Sequence, residues 1–262
     1  MKICEITQSG SFTDLGQDFL AVADSIERDC TQYLAITRRA GGFLYRGIGG
    51  IRPHMFLASS RQNRNPLDSN NQAQEYFDLC LKKLGFTALR SNSIFATSDY
   101  EHAERFGRVY VVFPLDRRSA YTYTNKYDIT LGAHNLGSMV NHDNLRPVID
   151  DLAAKLRELP ETSHAITSQV LRNITPVTDR MAVWNILDRN RDKYISVGAD
   201  PRWFDIDISQ FLDEKTFEKN FQPSNTNLDH AISDHLEVYI TGEYYAIQEH
   251  YYRAQLLERF GI

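Results

Sequence analysis

The sequence predicts an α+β fold, and three observations carry that expectation. Short runs rich in aromatic and β-branched residues, such as Val109-Tyr110-Val111-Val112-Phe113, are interspersed with amphipathic helical stretches. Their succession lacks the regular βαβ rhythm of a parallel, doubly wound sheet. The run from Leu236 to Thr241 alternates apolar and polar side chains, as a strand with one face in a core does.

Residues 14–39 read as one helix, because Leu15, Phe19, Val22, Ala23 and Ile26 recur at helical spacing. An aromatic strand follows from Gly42 to Gly47, ending in the flexible run Gly47-Ile48-Gly49-Gly50. Pro53 to Ser69 reads as a loop carrying Arg61 and Arg64. The next helix spans 71–84, with Ala73, Phe77, Cys80 or Leu81, and Leu84 on one face. Gly85 stands where a left-handed cap belongs. Ser93 to Ser98 forms a strand or strand end, and Asp99 caps a short helix that buries Ala103 and Phe106 and stops at Gly107. The strand 109–113 is expected to end at Pro114. Residues 128–222 are mostly helical: Leu152, Ala153, Leu156 and Leu159 mark one helix, and Met181, Trp184 and Leu187 another. After the strand Leu236–Thr241 come Gly242, a second aromatic run, Tyr244 to Ile247, and a C-terminal helix.

The composition excludes several classes. With 262 residues, 42% of them hydrophobic, the chain can bury a core without disulfides or metal. A net charge of −5 argues against non-specific nucleic-acid binding, although it leaves room for a local basic groove. Cys4, Cys30 and Cys80 are odd in number and widely spaced, which fits a reducing compartment rather than a disulfide framework. No long apolar stretch and no apolar run near Met1 is present, so the expectation is a cytoplasmic protein. Neither a Gly-x-Gly-x-x-Gly turn nor a His-Glu-x-x-His motif occurs, so neither a Rossmann site nor a metal is indicated.

Three segments concentrate the polar chemistry. In Leu44-Tyr45-Arg46-Gly47 an arginine closes an apolar strand. It is either an exposed strand-end charge or a forked, permanent cation for phosphate or ribose oxygens, with glycine allowing close backbone approach. In Ser93 to Ser98 the hydroxyl residues serve either helix capping or the polar floor of a nucleotide cleft. In His235-Leu236-Glu237-Val238-Tyr239-Ile240, alternation turns Leu236, Val238 and Ile240 to the core and Glu237 and Tyr239 the other way. Glu237 is then an edge-strand charge or a carboxylate lining a cleft. Glu243 is the rival carboxylate, but Gly242 interrupts the strand before it.

Taken jointly, in this order, the segments resemble the ADP-ribosyltransferase family of the Arg–Ser–Glu type, including members encoded by bacteriophages and bacteria. Arg46 falls on the family arginine, Ala96-Thr97-Ser98 on the Ser-Thr-Ser motif with Phe95 before it, and Glu237 on the catalytic glutamate. The likeness covers about 42–125 and 228–247. It departs from the family at Ala96, where the first Ser belongs, and at His235, where Gln or Glu is common.

The resemblance implies one domain over 1–262 with a split mixed β-sheet core and flanking helices. Residues 128–222 are then a helical insertion or an extension of the core. It implies NAD⁺ as co-substrate, no metal, and transfer of ADP-ribose to a macromolecular acceptor, protein or nucleic acid, in a toxin-type or phage–host conflict. A neutralising partner is implied if the protein is a toxin. Glu237, Arg46 and Ser98 are the expected catalytic residues. Arg46, Tyr45, Gly47, Phe95, Thr97, Ser98 and Arg64 are expected to bind NAD⁺, and His235 to meet the acceptor. The alternatives are an NAD⁺ glycohydrolase on the same fold and an inactive, partner-binding descendant.

Overall fold

A computed structural model describes residues 12–62, 71–126, 137–159 and 180–261. In chain order the elements are β1 (Phe12–Asp14), α1 (Phe19–Asp29), α2 (Thr31–Ala40), β2 (Leu44–Ile48), β3 (Met55–Ser59), α3 (Asn71–Lys83), β4 (Ile94–Ala96), α4 (Tyr100–Glu104) and β5 (Arg108–Tyr123). Then follow α5 (His142–Arg157), α6 (Arg180–Arg189), α7 (Arg191–Ser196), α8 (Glu214–Phe221), α9 (Leu228–Ser233), β6 (Val238–Gln248) and α10 (Glu249–Phe260), with two short 3₁₀ turns between α7 and α8. The class is α+β. The chain divides into two compact units, one of Met1–Leu67, Leu81–Ile129 and Phe221–Ile262, the other of Asp68–Cys80 and Thr130–Asn220.

The first unit is built on a six-stranded sheet in the order β1-β3-β6-β5-β2, with β4 pairing β6 off that path. The resemblance implied a mixed sheet, but every described strand pair is antiparallel. The two long strands organise it. The far half of β6 lies between β3 and the near half of β5, while the near half of β6 lies between β4 and the far half of β5. Helices α2 and α10 and the residue before β2 bring aromatic side chains to this sheet: Phe113 meets Tyr33, Phe260 and Phe43 at centroid distances of 6.0, 5.2 and 5.7 Å. Each such ring, fully buried, contributes about 1.5–3 kcal/mol.

Several expectations need correction. The loop read over Pro53 to Ser69 contains the strand β3, which pairs with both β1 and β6. The helix 14–39 is two helices broken at Cys30. Asp116 on β5 accepts the Gln32 N–H at 2.8 Å, so a residue remote in sequence caps α2 and lets the chain turn there. Phe106 is 41% exposed; α4 ends at Glu104, so helical spacing from the buried Ala103 does not extend to it. Pro114 does not end its strand. Pairing of β2 with β5 stops at Val112, and the β5–β6 register shifts between Pro114 and Ser119, so the missing N–H falls where the ladder is already interrupted. Likewise Gly242 does not separate two runs: β6 continues through it, with a left-handed φ of 97° beside the bulge.

Other elements follow the local signals. Asp99 caps α4 by accepting the His102 N–H at 3.0 Å, and Gly85 takes the left-handed conformation after α3. In the second unit Asn141 caps α5, which buries Leu145, Ile149, Leu152, Ala153 and Leu156. Leu159 just beyond it, and Trp184 and Leu187 on α6, are buried as well. Phe77 and Phe217 pack edge to face at 5.0 Å in the same unit. The side chain of Met181 lies outside the described residues. No described helix is long and apolar enough to cross a membrane.

Candidate active site

The three chemically marked segments, far apart in sequence, are neighbours in the first unit. The first half of β2, which runs on past Arg46 to Ile48 rather than closing at the arginine, meets the residue just after β4 through a reciprocal pair of backbone hydrogen bonds: Tyr45 N–H to Thr97 carbonyl at 2.6 Å and Thr97 N–H to Tyr45 carbonyl at 2.9 Å. β4 in turn pairs with the start of β6, Phe95 opposite Tyr239 and Ala96 opposite Val238. Glu237 immediately precedes that paired stretch. These pairings place Arg46, Thr97, Ser98 and Glu237 on three adjacent segments.

The hydroxyls after β4 tie down the approach to β6. Thr97 Oγ1 donates to the His235 carbonyl at 3.2 Å. Ser98 Oγ bonds the Ile232 carbonyl and lies 2.8 Å from His235 Nδ1. A hydroxyl that gives its proton to that carbonyl accepts from an Nδ1–H, which leaves Nε2 as the acceptor of the ring. His235 itself is exposed and left-handed, with φ of 57°, an uncommon conformation for a residue with a side chain. The bonds of the two hydroxyls thus run to His235, to the end of α9 and to the Asp99 N–H.

Leu236, Val238 and Ile240 join the main apolar core, as alternation requires. Glu237 and Tyr239 face away from them and are nevertheless buried. Their partner is a residue that the sequence did not mark. Arg90, 4% exposed, places Nη1 3.3 Å from Glu237 Oε1 and donates to the Tyr239 hydroxyl at 3.1 Å. Its guanidinium carbon lies 4.8 Å from the centre of the Phe95 ring and 5.5 Å from that of Tyr239. The two rings lie 5.3 Å apart. Glu237 is 8% exposed, so this is a buried ion pair resting on two aromatic faces. Arg90 lies 147 residues from Glu237 in a short polar turn with no periodicity, and only the fold brings the two together.

The remaining expected residues are placed as follows. Arg46 is half-buried on β2, opposite Tyr110 of β5. Tyr45 makes an edge contact with Tyr100 at 5.7 Å, and burial raises its phenol pKa above the usual value. Gly47 serves packing: a Cβ there would lie 1.9 Å from the Ala103 carbonyl oxygen, so α4 lies directly on β2. Arg64 lies outside the described residues. The rival Glu243 forms an exposed pair with Arg118 at 2.9 Å, next to the bulge. No group of three or more His, Cys, Asp or Glu able to hold a metal occurs among the described residues.

Comparison of the chain with protein-family models, with curated proteins and with solved structures gave no match.

Proposed function

We propose that this protein is a mono-ADP-ribosyltransferase that cleaves NAD⁺ at the bond between nicotinamide and ribose. The observation that carries the reading is the adjacency of β2, the end of β4 and the start of β6, which gathers the segments bearing Arg46, Thr97, Ser98 and Glu237. In the proposed reaction the C1′–N bond breaks and its electron pair leaves with neutral nicotinamide. The ribosyl centre passes through an oxocarbenium-like state, as in glycoside hydrolysis. Glu237 stabilises the developing cation by a preorganised charge. An acceptor nucleophile then forms the new bond at C1′ and gives up its proton. Arg46 holds phosphate or ribose oxygens, and Thr97 and Ser98 fix the segment that leads into Glu237. The acceptor is a macromolecule, protein or nucleic acid, met by His235. The setting is cytoplasmic, in a toxin-type or phage–host conflict. With water as acceptor the same steps describe an NAD⁺ glycohydrolase.

A second reading, a partner-binding protein without turnover, is favoured by one observation: Glu237 is nearly closed off from solvent and already paired with Arg90. Labelled NAD⁺ added to a host lysate separates the two. The transferase reading expects label on a macromolecule that depends on Glu237 and is removed by protease or by nuclease. Absence of both label and nicotinamide release, with folded protein, leaves the binding protein.

A further inference from the structure

Arg90 lies outside the Arg–Ser–Glu constellation but pairs with its glutamate, Glu237, and both its backbone turn and its guanidinium are anchored. Arg90 sits in a turn closed by Asn92, which accepts the Leu89 N–H at 2.8 Å and donates its own N–H to the Leu89 carbonyl at 3.3 Å. The Asn92 amide also donates to the Thr87 carbonyl at 2.9 Å. The turn is anchored to β6, because Thr241 Oγ1 donates to the Asn92 carbonyl at 3.0 Å. The base of the arginine is therefore fixed relative to the strand that follows Glu237. Its head is fixed by the Phe95 and Tyr239 rings and by the Tyr239 hydroxyl.

We propose that Arg90 is a positioning residue of the candidate active site, holding the Glu237 side chain as an oriented anion; this rests on the reading of Glu237 as the reactive carboxylate. Two physical requirements meet in the contact. A carboxyl group taken out of water tends to keep its proton, and an opposite charge at this distance reverses that tendency. A carboxylate on a flexible side chain also loses rate if it wanders, and a planar guanidinium held over two rings is a stiff partner. Lysine would supply the charge without the planar fork. Among the described residues, the titratable groups on the elements around Glu237 include Tyr239, His235 and Asp234 in or just before its segment, Tyr121 and Tyr123 on the paired β5, and Tyr45 and Arg46 on β2. Of these, Tyr239 shares the Arg90 nitrogen with Glu237.

The experiment follows the Glu237 carboxyl carbon by NMR against pH, assigned by its loss in Glu237→Gln, in the wild type, Arg90→Lys and Arg90→Gln. Nicotinamide release from NAD⁺ is measured over the same range. The titration midpoint is expected to rise by about one pH unit or more in Arg90→Gln, and by less in Arg90→Lys. The acid limb of the kcat profile should move with it, with KM for NAD⁺ changed by no more than about twofold. An unmoved midpoint in folded Arg90→Gln overturns the proposal. If that variant does not fold, an unmoved midpoint and full kcat in Arg90→Lys overturn it instead. A shifted midpoint with no nicotinamide release from the wild type supports the Arg90 contact and removes the transferase reading, so the two failures are distinct.

Discussion

Glu237 and Arg90 stand 3.3 Å apart with side chains 11% and 4% exposed, so each charge offsets the other in a buried setting. Removing one member of such a pair leaves an uncompensated buried charge, at a cost of about 3–5 kcal/mol, whereas removing both restores neutrality. Arg90→Met is therefore expected to destabilise the first unit by about that amount in denaturant unfolding. Arg90→Met combined with Glu237→Leu should be more stable than Arg90→Met alone. A double variant as unstable as the sum of the two single changes would show that the pair is not coupled. At this scale Glu237 was legible in the sequence, because Leu236, Val238 and Ile240 announce the strand and its two faces. Arg90 was not, because its meaning depends on a contact across 147 residues. His235 and Ser98 were legible as polar residues, but not as partners of each other.

At the scale of elements, two glycines make opposite demands. Gly47 has an ordinary β-strand backbone, but a methyl group there meets the backbone of α4. Gly85 has a φ of +85° and open space around it. Gly47→Ala must displace α4 from β2 and is expected to cost about 1–3 kcal/mol, with α4 becoming more open to proteolysis. Gly85→Ala meets no atom and is expected to cost only the left-handed backbone penalty, about 1–2 kcal/mol, with no change at α4. Equal proteolysis at α4 in both variants would contradict this packing. The local signals of caps and periodicity gave α3, α4, the helices around Leu152 and Trp184, and α10 close to their observed places. They failed where distant residues decide. Asp116 caps α2 from another element, and the register shift after Pro114 lets β5 run through a residue that usually stops a strand.

Across the whole molecule, burial of phenols ties stability to high pH. Tyr33 is fully buried, and its pKa is raised chiefly by that burial. Tyr245 is pushed up to about 12, first by burial and then by its hydrogen bond to Asp29. A group whose folded pKa lies above its unfolded one stabilises the fold fully below the unfolded value, about 10 for tyrosine. That contribution is lost as pH rises through the folded value. Stability in denaturant should accordingly fall from about pH 10 to pH 12, while tyrosinate absorbance lags behind that of the exposed phenols. Titration of all 14 tyrosines together near pH 10, with stability unchanged, would contradict the buried positions of these two. The α+β class was readable from the interspersed periodicities. The long β5 and β6 strands and the division into two compact units were not, since each depends on pairings and contacts made only in the folded chain.

The most direct test of the central claim is nicotinamide release from NAD⁺ by the wild type and by Glu237→Gln, each checked for folding by circular dichroism. The account predicts release by the wild type and a loss of about 10²–10³-fold in rate in the variant, the usual effect of removing one preorganised charge from a transition state. Equal release by both proteins would contradict the role given to Glu237, and no release by either would contradict the enzyme.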